Sequence, residues 1–230
     1  MKYSMFSLSL PQCTPVEAAK MIKEAGYDGV EWRCSAQPSP LPVVPNCWGS
    51  NRATLDTNHW QKQATEFRRI TRDHGLEVSN LASYCCADNP DAVKTCIEIA
   101  KALGSPRLRI TAPRYDGKTN YHEAYKRARE AYAKATDLCK AAGVQGLIEL
   151  HMGNIVPSAS LGFRLVDGLD AKHMAIMFDP GNMVFEGYEN WKLGCELLGP
   201  YLGFCHAKNA RQRPAGVTES GAIRWEYDAC

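Results

Sequence analysis

The feature that most constrains this chain is a repeated alternation. A short, nearly continuous apolar run is followed by an amphipathic helical stretch, and the pair then recurs. The apolar runs are residues 3–10, 29–33, 76–83, 107–112, 146–151, 174–178 and 202–208. Helical periodicity marks 14–26, 59–74, 90–103, 121–142, 158–169 and 191–198. Strands without polar alternation are covered on both faces, which requires parallel pairing with helices outside. Seven such strands predict an α/β fold of the (β/α)8 TIM-barrel kind, a single domain over 1–230. No GxGxxG follows the first run, which weakens the open dinucleotide-binding alternative.

Local signals support the alternation. Thr14, Pro15 and Glu17 read as N-cap, first-turn proline and capping-box partner, and Gly26 closes that helix. A Pro/Ser-rich loop spans 34–58, a length more often functional than not. The opening "MKYSMFSLSLPQC" faintly mimics a signal peptide, but serines interrupt it and no cleavage site follows. No run approaches a membrane span. A net charge of +2, from 27 basic and 25 acidic residues, gives no footprint for nucleic acid or an anionic membrane. The ten cysteines form no CxxC pair, so we read them as reduced and structural in a cytoplasmic protein.

Three successive strands end on chemistry. "GLIELH" carries Glu149, "MAIMF" runs into Asp179, and "LGFCHAK" carries His206. Taken alone, Asp179 reads as a helix cap or turn residue. Side-chain alternation makes a sharper prediction. Asp179 shares a face with Met177 and Ala175, Glu149 with Leu147 and His151, and His206 with Phe204 and Lys208. Two carboxylates and an imidazole at the end where barrel enzymes build their sites suit Zn²⁺, Mn²⁺, Co²⁺ or Mg²⁺.

Other residues keep two readings each. His151 is a substrate contact or a hydrogen-bonded histidine at a strand exit. Glu31 and Arg33 share a face and reach a substrate hydroxyl or phosphate, or pair within the barrel layer. Arg109 faces an anionic substrate or makes a structural salt bridge. His59, His74, His122 and His173 sit at helix boundaries or faces and are expected in solvent.

In that order and spacing, "IELH", "FDPGN" and "CHAKNA" resemble the xylose isomerase-like barrel superfamily of sugar and sugar-phosphate isomerases and epimerases. "AAKMIKEAGYDGVEWR" is similar to the first helix and second strand of the same superfamily. The resemblance implies a divalent metal held by Glu149, Asp179, His206 and a second Glu from strand eight. Asn182 then falls where relatives touch substrate, and Lys208 matches the lysine two residues after the strand-seven histidine. Only 22 residues follow Lys208, mostly polar, and they supply no strand eight. A seven-strand arc has open edges, which invites a homo-oligomer, a chain continuing past Cys230, or a tail folded into the gap.

The resemblance implies abstraction of a proton next to a carbonyl of a sugar or polyol, through a metal-stabilised enediolate, with Glu149 as base. A dehydratase of a keto-polyol (inosose or dehydroshikimate type) is the nearest alternative, since the same enediolate can expel a β-hydroxyl. An abasic-site nuclease fits less well, lacking both the histidines and the basic cleft. A non-catalytic sugar-binding barrel is the alternative from another class.

Overall fold

A computed structural model describes residues 1–229. The helices and parallel strands alternate as expected, and the residues fall into two compact units.

The first unit holds β1 (Ser4–Phe6), a 3₁₀ turn (Ser7–Ser9), α1 (Pro15–Glu24), β2 (Gly29–Ser35), β3 (Thr54–Asp56), α2 (Trp60–Asp73), β4 (Glu77–Ala82), α3 (Pro90–Leu103) and β5 (Arg107–Arg109). The strands pair in parallel in the order β1-β2-β4-β5, with β3 beside the end of β2. The α1 capping box forms as expected: Glu17 N–H donates to Thr14 Oγ1 at 3.4 Å, and Thr14 N–H donates to Glu17 Oε2 at 2.8 Å. Burial parity on β2 follows from its helix contact. Trp32 turns outward to α2, where its Nε1–H donates to Thr71 Oγ1 at 2.9 Å and its ring meets Phe67 edge-on at 4.8 Å. Glu31 and Arg33 therefore point to the opposite face. Gly29 begins β2 because a Cβ there would lie 2.7 Å from the Glu77 carbonyl oxygen.

The second unit holds most of α4 (Tyr121–Ala142), the end of β6 (Gln145–Glu149), α5 (Ala159–Val166), β7 (Met174–Phe178), α6 (Pro180–Phe185), α7 (Trp191–Leu198), β8 (Leu202–Cys205), β9 (Ala210–Val217) and β10 (Ile223–Ala229). The parallel order is β6-β7-β8. Leu147, Ala175 and Met177 form one buried apolar cluster, with Phe204 packed against it. These are the residues that alternation assigns to the faces of Glu149, Asp179 and His206.

Two elements differ from the sequence reading, and one settles an alternative it left open. The long loop contains β3, and of the helix and turn readings at Asp179 the helix forms, Pro180–Phe185. The polar tail is an antiparallel hairpin, β9–β10. Among the described residues no further strand parallel to β8 follows it, in keeping with a barrel pattern lacking strand eight. The hairpin is held by Arg213, which donates to Asp228 at 2.7 Å and Glu226 at 2.9 Å, and by Tyr227 stacked on Phe185 of α6 at 5.3 Å. Nine cysteines are free, and Cys230 lies outside the described residues. Of the four peripheral histidines, His59 and His122 are exposed, whereas His74 and His173 are half-buried. His74 Nδ1 lies 2.8 Å from the Ile70 carbonyl, one turn back along α2.

Candidate metal centre

Asp179 follows β7 and opens α6, and its two oxygens do separate work. Oδ1 accepts from the Asn182 amide at 2.8 Å, the N-cap bond of α6, with Pro180 at the first helical position. Oδ2 turns to the adjacent strand, 3.7 Å from His206 Nδ1 and 3.8 Å from Lys208 Nζ. One oxygen thus caps α6 while the other faces the end of the adjacent strand.

Glu149 ends β6. Its Oε1 lies 3.0 Å from His206 Nδ1 and accepts from Asn182 Nδ2 at 3.4 Å. His206 follows β8 and keeps the strand's register, since its amide donates to the Phe178 carbonyl at 2.9 Å. One candidate ligand atom from each of Glu149, Asp179 and His206 lies within 4.8 Å of the other two. Ligands at roughly 2.0–2.2 Å from one ion sit about 3–3.5 Å from one another, and His206 Nδ1, at 3.0 Å from Glu149 Oε1 and 3.7 Å from Asp179 Oδ2, is spaced close to that range. The donor set also fits: hard carboxylate oxygens with one imidazole suit zinc, manganese, cobalt or magnesium.

Asn182 joins the group from the first turn of α6. Its Nδ2 donates to the Leu150 carbonyl at 3.0 Å as well as to Glu149, and its Oδ1 accepts from Lys208 Nζ. Exposure is graded across the site. The Asp179 side chain is 1% exposed, Glu149 11%, His206 13% and Lys208 38%, so Lys208 forms the solvent rim. Gly181 permits the close approach beneath it, because a Cβ there would stand 2.7 Å from the Lys208 carbonyl oxygen. Two buried carboxylates side by side need compensating positive charge, which Lys208, His206 or a bound cation can supply.

Alternation does not carry His151 into this group. β6 stops at Glu149, and His151 Nδ1 lies 2.8 Å from the Met152 carbonyl. Glu31 and Arg109 belong to the first unit. Glu31 accepts from Asn80 Nδ2 at 2.9 Å, and Arg109 Nε donates to the Ser83 carbonyl at 3.0 Å. Arg109 is buried, and Arg107, two residues earlier on β5, is half-buried and reaches Gln145. Sequence reasoning passed over Asn80, whose signal is an amide inside the apolar run 76–83.

The family model described as xylose isomerase-like TIM barrel matches residues 19–226. The chain belongs to that family. Its fold is accordingly α/β of the TIM-barrel kind. No curated protein matches the sequence. Among solved structures, the chain is similar to 3-keto-D-glucoside 4-epimerase from E. coli, with TM-score 0.69 and 15% identity over 90% of this chain and 78% of that one. It is similar to the probable 3-DHS dehydratase of petrobactin synthesis from Bacillus anthracis, with TM-score 0.70 and 14% identity over 91% and 73%. It is also similar to the IolI protein with a bound zinc atom, with TM-score 0.69 and 14% identity over 91% and 73%. At these identities the likeness shows the fold and leaves the chemistry to be argued from residues.

Proposed function

We propose that this family member is a divalent-metal-dependent isomerase or epimerase of a sugar or sugar phosphate, acting by proton abstraction next to a carbonyl. The observation that carries the reading is the convergence of Glu149, Asp179 and His206 from the ends of three successive parallel strands. These three would hold the cation, which when bound supplies Lewis-acid stabilisation of negative charge on a substrate carbonyl oxygen. The Glu149 carboxylate takes the carbon-bound proton. Its contacts with His206 and Asn182 orient it, and its low exposure keeps water from competing. Lys208 Nζ, at the rim and bonded to Asn182, orients substrate hydroxyls. His151, just past the end of β6, remains a candidate for a further substrate contact.

Dehydration of a keto-polyol is the second reading, supported by the likeness to the 3-DHS dehydratase. It begins with the same proton abstraction. No helix among the described residues is long and apolar enough to cross a membrane. The nine free cysteines support a reducing, cytoplasmic setting. The test is incubation with ketoses and keto-inositols in D₂O, with and without Mn²⁺. Metal-dependent deuterium incorporation next to the carbonyl supports the reading, and epimer, isomer or dehydrated product tells the outcomes apart. Stoichiometric sugar binding with no exchange would assign the chain to the non-catalytic class.

A further inference from the structure

A second cluster of buried charge lies in the first unit. Arg33, on β2, is 4% exposed, and the acceptors that hold it are neutral. Its Nη1 donates to Thr54 Oγ1 at 2.9 Å and its Nη2 to the Trp48 carbonyl at 3.0 Å. Its Nε is buried with no hydrogen-bond partner among the described residues. The unit's two buried carboxylates are engaged elsewhere: Glu31 accepts from Asn80, and Asp56 Oδ1 accepts from the amides of Gln37 and Asn58. Arg33 thus makes no ion pair among the described residues. A guanidinium taken from water and left without an anion is among the costliest groups a protein can bury.

The surroundings indicate what would offset that cost. Tyr84, 39% exposed, presents its ring to Arg33, whose guanidinium carbon is 5.5 Å from the centroid. The same ring carries the Arg109 guanidinium carbon at 4.4 Å. Two guanidinium groups therefore share one half-exposed aromatic ring, and Arg109 is fixed by the Ser83 carbonyl. Stacking on Tyr84 and neutral hydrogen bonds orient Arg33 without cancelling its charge.

We propose that Arg33, with Arg109 and Tyr84, forms a binding site for a small anion of the carboxylate or phosphate class. The buried Nε–H of Arg33, which has no partner among the described residues, supplies one of its donors. Fixed guanidinium planes match both headgroups, which accept paired N–H donors. The proposal rests on the first unit alone and holds whether or not Glu149, Asp179 and His206 bind a metal.

The test titrates the full chain, stripped of metal and dialysed into chloride buffer, with inorganic phosphate and separately with gluconate, by calorimetry. Neutral glucitol is the control. Wild type should bind one or both anions at a single site below about 10 mM. Arg33→Met should weaken that binding roughly tenfold or more, Arg33→Lys by less, and Asp179→Asn should leave it unchanged. The tighter of the two anions identifies the headgroup. Should Arg33→Met not fold, Arg33→Lys carries the comparison. The proposal is overturned if neither anion binds wild type, if glucitol binds as well as the anions, or if the folded Arg33 variants bind as wild type does.

Discussion

The helix cap made by Asp179 and its proposed role as a metal ligand can be separated with two substitutions. Asparagine is isosteric and ranks with aspartate as an N-cap, so Asp179→Asn keeps the bond to the Asn182 amide and removes only the charge. Alanine removes both. In metal-free protein, Asp179→Ala should be less stable than Asp179→Asn by about 1 kcal/mol, the usual worth of such a cap. For a chain of this size that is a difference of roughly 2–4 °C in the thermal midpoint. Asp179→Asn itself should lie close to wild type, because losing one carboxylate also relieves its repulsion with Glu149. The second arm adds metal. A cation at a hundred times its dissociation constant stabilises the native state by about 2.7 kcal/mol, raising the wild-type midpoint by roughly 5–10 °C. Both variants should lose most of that rise. Scanning calorimetry of the three proteins, with and without Mn²⁺ or Zn²⁺, reads both arms. Equal midpoints for the two metal-free variants would refute the capping role, and an undiminished metal shift in Asp179→Asn would refute the ligand role.

Glu149→Gln should lower deuterium incorporation into substrate by at least about 10²-fold, since general-base catalysis supplies that much, while the thermal midpoint of metal-free protein changes little. Gly181→Ala drives a methyl group against the Lys208 carbonyl and should cost about 1–3 kcal/mol, measured by urea denaturation. Burial pushes the Cys139 thiol up to about 12. The unfolded chain therefore loses this proton first, and stability should fall as pH rises from about 9 toward 12, a slope that Cys139→Val should reduce in denaturation series across that range.

What was legible in the sequence is what period two and burial can dictate. A strand buried on both faces leaves its neighbours little freedom of register, so Leu147 with Glu149, Ala175 and Met177 with Asp179, and Phe204 with His206 could be assigned to shared faces before any coordinates. Alternation carries no information past the end of a strand. His151 lies two residues beyond the end of β6, where the chain bends through Met152 and Gly153, and alternation has no force outside extended backbone. The β9–β10 hairpin was obscured because most of its side chains face water and its net polarity reads as a tail. Its signal was the period-two placement of Ile223, Trp225 and Tyr227 against Arg224, Glu226 and Asp228.

Asp179 illustrates a different limit. Its two readings, helix cap and metal ligand, look like rivals in the sequence, because each explains an aspartate before Pro-Gly at a strand exit. A carboxylate has two oxygens, and at the junction of a parallel strand and a helix they face different ways. One meets the free amides of the helix that begins there, and the other meets the end of the next strand. The cap fixes the carboxylate's rotamer, so the oxygen left over is aimed without further side-chain ordering, and Pro180 and Gly181 shape the backbone so that both can be satisfied. Local helix-start signals at the carboxyl ends of parallel strands therefore count in favour of a ligand role whenever the adjacent strands also end in carboxylate or imidazole.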